Sequence, residues 1–324
     1  MGRGDAEMVR ISKFAIVFAG QGSQSVGMMA GFADMPIVQR TFEEASDILK
    51  VDIWALAVEG TAETQNQTVN TQPLMLSAGV ATFRAWQEKG GHVPAFFAGH
   101  SLGEYTALVA AGALGFADAL LLVRLRAQAM QDAVPAGTGG IAAVLGLDTE
   151  QIRAICEEAA QGEVLEAVNL NSPGQIVIAG HRTAVERGMA LARTRGAKRA
   201  LMLPMSVPSH CALMKPAAEK LVVALQSVAC KVPATPVIQN ADVCAFSSAD
   251  DIKRALAEQM YRPVRWVETI QAIASGGATA VIECVPGKVL TGLNKRIDSH
   301  LNCLAILDVA TLNSAIEATR KQEQ

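Results

Sequence analysis

Two short apolar runs, FAIVFAG at 14–20 and AFFAGHS at 95–101, stand ahead of segments with helical spacing. Runs of that length without polar alternation predict strands buried on both faces. After the second run, Leu102, Tyr105, Leu108 and Val109 recur at helical intervals, and FADALLLVRLRAQAMQDA continues as another helix, closed off by Pro135 and Gly137. Strand alternating with helix predicts a parallel sheet with helices packed on both sides.

The stretch 138–206 follows another rhythm. IAAVLGL at 141–147 predicts a strand, Asp148-Thr149 caps the helix EQIRAICEEAA, and VLEAVNLN and QIVIAGH predict two strands separated by Ser172-Pro173-Gly174. Thr183 opens a helix to Gly196, and KRALMLPM is the last strand. This β-α-β-β-α-β order is that of a split βαβ unit, a four-stranded antiparallel sheet with two helices on one face. The expected architecture is α/β: an α/β-hydrolase-like parallel-sheet large subdomain made from 8–137 and 207–324, with an inserted ferredoxin-like (βαββαβ) small subdomain at 138–206. A ligand cleft is expected where the two meet.

Composition narrows the function classes. The chain has 324 residues, ample for a full core. Charged residues make up 18%, below the ~25% of ordinary globular chains, and 28 Lys+Arg against 31 Asp+Glu leave a net charge of −3. That balance offers no polybasic face to nucleic acid or anionic lipid. The longest charge-free stretches, 14–33 and 64–83, are dotted with Gln, Ser, Asn and Gly that hydrocarbon would leave unsatisfied, so no membrane span is expected. Residues 1–7, MGRGDAE, lack an apolar core and read as a tail or a remnant of expression, with no function assigned to the RGD triplet. Six cysteines without a CxxC pair or a histidine at metal spacing predict reduced thiols in a cytoplasm and no metal site.

GHSLG at 99–103 matches G-x-S-x-G in the context its chemistry needs, after an apolar strand and before an amphipathic helix. Ser101 is the candidate nucleophile, presented at a helix N-terminus that favours developing negative charge; a turn serine with a purely structural role is the alternative. A serine hydroxyl needs a base. Of five histidines, His100 is expected to point away from the side Ser101 faces, His92 lies in a polar loop, and His181 and His300 follow element ends near charged residues. His210, in the Pro-flanked loop PMSVPSHCALM where the chain re-enters the cleft, is the candidate base, weighed against an ordinary core or surface histidine. GQGSQ at 20–24 ends the first strand, so backbone N–H groups around Gln21 are placed to face an oxyanion. Two nucleotide motifs fail on inspection: Ser25 stands where G-x-G-x-x-G needs glycine, and Ile282 and Val289 break the P-loop pattern around Gly287-Lys288. Arg124 and Arg126 sit among Leu and Val residues, where a guanidinium wants a carboxylate or phosphate. A structural ion pair would meet that need. An arginine facing Ser101 would instead imply an acyl group with its own negative charge, a dicarboxylate monothioester.

FAGQGSQ, GHSLGEYTALVAAG, MQDAVPAGTGG, VNLNSPGQIVIAGH, LPMSVPSHCALMKPA and PGKVLTGLNKRI together, from Phe14 to Leu304, resemble the malonyl-CoA:acyl-carrier-protein transacylases of dissociated bacterial fatty acid synthesis. Six spaced motifs in order are far more specific than any one alone. The resemblance implies Ser101 as nucleophile, His210 as its base, and a main-chain carbonyl at Gln259 orienting the imidazole where a triad would have a carboxylate. It implies Gln21 and Leu102 as backbone oxyanion donors, and Arg126, not Arg124, as the arginine that grips the malonyl carboxylate. Asn169, Asn171 and Met130 match positions around the substrate. No metal or cofactor is implied, and the partners would be malonyl-CoA and coenzyme A together with a holo acyl carrier protein, served by a monomer. Lys198, Arg199, Lys288, Lys295 and Arg296 would form a basic rim suited to an acidic carrier.

Two positions depart from the family pattern: Ala19 where Pro often precedes GQGSQ, and Val285 where Gly commonly precedes PGK. Related readings remain beside the main one, a stand-alone acyltransferase of a polyketide synthase and the malonyl-loading subunit of a malonate decarboxylase. A serine hydrolase would need an acid between Ser101 and a late histidine, and His300 has no recognisable turn around it. A noncatalytic scaffold fits poorly with Ser101, His210 and Arg126 all present.

Overall fold

The computed structural model describes residues 13–204 and 207–320; the tail at 1–7 and the boundary at Ser206 lie outside the described residues. β1 (Phe14–Phe18) leads through four helices, α1 (Pro36–Leu49), α2 (Ile53–Val58), α3 (Ala62–Asn66) and α4 (Thr68–Glu88), to β2 (Phe96–Gly99). Then come α5 (Gly103–Ala110), α6 (Phe116–Asp132), β3 (Gly139–Leu145), α7 (Thr149–Ala160), β4 (Leu165–Ser172), β5 (Gln175–His181), α8 (Arg182–Thr194) and β6 (Arg199–Met202). α9 (Lys215–Gln226), β7 (Val237–Ile238), α10 (Ala249–Glu258), α11 (Trp266–Ser275), β8 (Ala280–Cys284), α12 (Val289–Ile297), β9 (Asn302–Ala305) and α13 (Val309–Thr319) follow.

One sheet, in the order β7-β2-β1-β8-β9, is parallel throughout. β1 is its centre, and all five residues of FAIVF are buried, as a strand covered on both faces requires. The charge-free stretch at 64–83 becomes most of α4, whose residues 71–83 are buried without a break against the sheet and neighbouring helices. Among the described residues no helix is long and apolar enough to cross a membrane.

The second sheet, β4-β5-β3-β6, is antiparallel and drawn entirely from 139–202, in the order of a split βαβ unit. Alternation along its strands separates two faces. Ala142, Val144, Ile176 and Ile178 pack with residues of α7 and α8, such as Ile152 and Val185. Ile141, Val177 and Ala179 face the other way, toward Cys211 and Leu213 of the larger part. β4 carries two register shifts, between Ala167 and Asn169 and between Leu170 and Ser172. Its outer edge is closed by Val264, which donates to Val168 O (2.8 Å) and accepts from Leu170 N (2.9 Å). Pairing part of an edge strand satisfies backbone groups it would otherwise expose, and here it ties the small sheet to the loop between α10 and α11.

Both runs that predict strands in the parallel sheet are shorter than the apolar pattern. β1 stops at Phe18 and β2 at Gly99, so Ala19 to Gln21 and His100 to Leu102 are turns at the carboxyl ends of adjacent parallel strands. In open α/β sheets that edge is where ligands bind. The same edge receives the chain after β7, at Gln239 and Asn240, and after β8, at Val285.

Candidate active site

Ser101 lies between β2 and α5 with φ of 52°, in the left-handed region that non-glycine residues avoid. The motif's two glycines make that turn possible. A Cβ on Gly99 would sit 1.9 Å from the Gly103 carbonyl, and one on Gly103 would sit 2.1 Å from Phe18 O. Helix, strand and turn therefore meet at backbone contact distance, and any side chain there would drive them apart. His210, from the loop before α9, is likewise left-handed (φ 65°). Each such residue costs about 1–2 kcal/mol of backbone strain, offset by the packing that surrounds it.

These turns bring the pair together across 109 residues of sequence. Ser101 Oγ and His210 Nε2 are 2.7 Å apart, and His210 Nδ1 is 2.7 Å from the main-chain oxygen of Gln259. With Nδ1 donating its proton to that carbonyl, Nε2 carries the free lone pair and accepts from the serine hydroxyl. Burial, reinforced by the Arg126 charge, lowers the His210 pKa to about 3, so the imidazole is held neutral.

Arg126 is on the inward face of α6, 1% exposed. Its Nη2 donates to Ser101 Oγ and to Gln259 Oε1, both at 3.2 Å, while its Nε is buried without a partner. Its planar group also lies over the Tyr105 ring, 5.6 Å from the centroid. Among the described residues it makes no ion pair, and burial pushes its pKa down from the ordinary value. Arg124, two residues earlier and so turned to the far side of the helix, donates instead to Leu49 O at 2.7 Å. A buried guanidinium with donors to spare is a receptor for a planar anion.

Around this pair is a cleft of about 440 Å³ between the two sheets, lined by Gln21, Leu102, Met130 and Asn169 among others. Neither Gln21 N nor Leu102 N donates a hydrogen bond among the described residues, and Leu102 is the N-cap of α5. Met130 lies one turn beyond Arg126 on the same face of α6, its Sδ accepting from Gln72 Nε2 at 3.5 Å. Asn169 Oδ1 is buried without a partner, and Asn171 Oδ1 meets His100 Nε2 at 2.8 Å.

His100 corrects one expectation. It does not point away from Ser101 but lines the same cleft, against Asn171 and the ring of Trp266. Strand alternation holds only while the strand lasts, and β2 ends one residue before it. His92 and His300 are not in the cleft, and His181 Nδ1 accepts from Val164 N. The five basic residues Lys198, Arg199, Lys288, Lys295 and Arg296 are all exposed, with Arg296 reaching the cleft residue Gln175 at 3.0 Å. A larger groove of about 640 Å³ between α9 and α10 contains none of these reacting groups.

Two residues that the sequence reading does not single out belong to the site. Glu104, 1% exposed at the start of α5, is pushed up to about 8 by burial, partly countered by the Asn240 N–H and by Gln259. Asn240, fully buried after β7, donates Nδ2 to Gly99 O and accepts the Ser101 N–H at Oδ1. An acid in the otherwise apolar LGEYTALVAAG was a signal available for Glu104; Asn240, a single amide in a loop, offers none.

A family model described as the acyl transferase domain matches residues 15–306. The chain is 53% identical over 307 residues to the malonyl CoA-acyl carrier protein transacylase of Salmonella typhimurium, covering 94% of this chain and 99% of that one. Among solved structures it resembles the malonyl CoA-acyl carrier protein transacylase of Coxiella burnetii, with a TM-score of 0.95 at 47% identity over 97% and 99% of the two chains. It also resembles a malonyl-transacylase solved in complex with a type II PKS acyl-carrier protein, with a TM-score of 0.93 at 52% identity over 94% and 99%.

Proposed function

Because the chain belongs to the acyl transferase domain family, we propose that it moves a malonyl group from malonyl-CoA to the phosphopantetheine thiol of a holo acyl carrier protein through a malonyl ester on Ser101. The observation that carries this reading is Arg126, a buried cation without a carboxylate partner, in hydrogen-bond reach of the serine oxygen. A malonyl group fixed to Ser101 has its free carboxylate a few bonds away, where the guanidinium lies.

In the first half-reaction Ser101 Oγ attacks the thioester carbonyl as His210 Nε2 takes its proton. The oxyanion is received by the Gln21 and Leu102 N–H groups, with the α5 N-terminus behind them. Coenzyme A leaves as a thiol with the proton returned from His210, and the ester remains. The carrier's thiol then gives its proton to His210, attacks the ester, and departs as malonyl-carrier while Ser101 is restored. Lys288, Lys295 and Arg296 at the rim suit an acidic carrier. All six cysteines are free, and we assign the reaction to the cytoplasm, where thiols stay reduced. A carrier of polyketide synthesis fits the same site, since one structural neighbour is bound to such a carrier.

Intact-protein mass tests the function. Malonyl-CoA is expected to add one malonyl group to the chain, and holo carrier protein to remove it and gain it. Free malonate appearing as fast as coenzyme A, with no adduct, would make water the acceptor and the hydrolase reading correct.

The pH dependence of acylation tests the base. A histidine loses its base form as pH falls through its pKa, and the His210 value of about 3 replaces the ordinary 6.5. Between about pH 7 and 5, below the step of Glu104, single-turnover acylation is expected to stay flat. A halving near the ordinary histidine value would show an imidazole free of that depression.

A further inference from the structure

Asn240 makes an unusual set of bonds for one side chain. Its Oδ1 accepts from Ser101 N at 2.7 Å while its Nδ2 donates to Gly99 O at 2.6 Å, so one amide grips the backbone on both sides of the left-handed turn. Its own backbone is held as firmly: its N–H donates to Glu104 Oε2 at 2.6 Å, and its carbonyl accepts from Arg265 N at 3.1 Å. The loop around it is closed by Val243 N to Gln239 O at 2.9 Å and Gln239 N to Cys244 O at 3.0 Å. Val243 is itself left-handed, at φ 54°, a conformation a β-branched residue adopts only under tight constraint.

We infer that Asn240, seated on Glu104, is the positioning residue that holds the Ser101 turn in its reactive conformation and, by occupying the Ser101 N–H, confines the oxyanion to the N–H groups of Gln21 and Leu102. Serine proteases that use the nucleophile's own N–H in the oxyanion hole cannot spend it this way. Here the N–H is already bonded before substrate arrives, and the turn is fixed from below by an amide that touches no reacting atom. This rests on Ser101 being the acylated residue.

Asn240→Asp gives the discriminating test, because a protonated carboxyl reproduces both bonds: O–H to Gly99 O, and C=O from Ser101 N. The ionised form has no donor and sets an oxygen against the Gly99 carbonyl. Charged and titratable groups around it are Glu104, with Arg126 and Asp242 acting on it, the Arg262 and Arg265 guanidinium groups that reach Ala241 O, and His100 and His210 flanking Ser101. At pH 8 the variant is expected to lose about 10²-fold in kcat with KM within about twofold, the scale of a misplaced reacting group. It is expected to regain at least about tenfold relative to wild type by pH 5.5. Asn240→Ala should lose a similar factor with no recovery in acid. Labelling of Ser101 by a fluorophosphonate, followed in parallel, should show the same pattern. Melting temperatures taken at each pH give the folded fraction. A kcat at pH 8 equal to wild type, a loss without recovery in acid, or a loss accounted for by the unfolded fraction would each overturn the inference. A wild type that takes the fluorophosphonate but never a malonyl group would sink the proposed function and leave the clamp to be judged on the probe alone.

Discussion

Ser101→Ala is expected to carry no malonyl group under any concentration of malonyl-CoA, and to lose transacylation by about 10⁴–10⁶-fold, the scale seen when a serine nucleophile is deleted. Among the described residues Ser101 is the only hydroxyl hydrogen-bonded to His210. His210, whose Nε2 loses its Ser101 Oγ partner in this variant, keeps Nδ1 committed to Gln259 O. Cys211, next in the chain, is buried with its Sγ on Pro208 O and its thiol pushed up to about 12 by burial, so it offers almost no thiolate. Alanine removes one hydroxyl, leaving Gly99 and Gly103 to shape the turn. The variant should therefore fold and still bind malonyl-CoA. Intact mass and a binding isotherm on the same preparation check both halves. A malonyl adduct persisting on the alanine variant would place the acylated residue elsewhere in the cleft.

Arg126→Ala should lose malonyl transfer by about 10²–10⁴-fold, matching the 3–5 kcal/mol typical of stranding one member of a buried charge pair. The stranded charge would be the substrate's. A malonyl carboxylate brought into the cleft meets no other buried cation among the described residues, and an acetyl group has no charge to strand. Acetyl-CoA should consequently label the variant at least as well as it labels wild type, and the malonyl-to-acetyl preference should collapse. In wild type malonyl is expected to be preferred, because an acetyl group leaves the guanidinium with its Nε unsatisfied. Competition between the two thioesters, read as adduct masses, measures the ratio directly. Equal loss of both labels would mean Arg126 acts through Ser101 Oγ and Gln259 Oε1, its present partners, and not on the substrate.

The contrast between what the chain announces and what it conceals follows the range of the forces involved. Ser101 is legible because its requirement is local: strand, glycine, glycine and helix are neighbours in sequence, and the contacts of Gly99 with Gly103 are made within five residues. The split βαβ unit is legible for the same reason, its alternation and its Asp148 cap being short-range, with the capping box completed by Gln151. His210 meets Ser101 only through a contact 109 residues away, and the pattern alone makes it the candidate base without excluding an ordinary core or surface histidine. The segment after His210 resists reading because β7 is two residues long and β8, AVIEC, carries Glu283 inside an apolar run. That carboxylate is satisfied by Leu290 N, Thr291 N and Thr291 Oγ1, a cap on α12 that only the folded chain displays. His100 escapes strand periodicity because β2 ends one residue before it. Asn240 speaks only through geometry.

The Gln259 carbonyl behind His210 has a bearing on time as well as on orientation. A carboxylate in that position would stabilise the imidazolium; a neutral carbonyl does so weakly, and the nearby Arg126 charge opposes it. Water, whose proton leaves with a pKa near ~15.7, can attack an ester at useful speed only when a base strongly welcomes that proton. A thiol, with a pKa near ~8.5, arrives partly ionised and asks far less. A malonyl ester on Ser101 is therefore expected to react with water more slowly than with a thiol. In the proposed reaction a thiol acceptor is favoured over water, and one contributor to that preference is a main-chain oxygen that no side-chain substitution can remove.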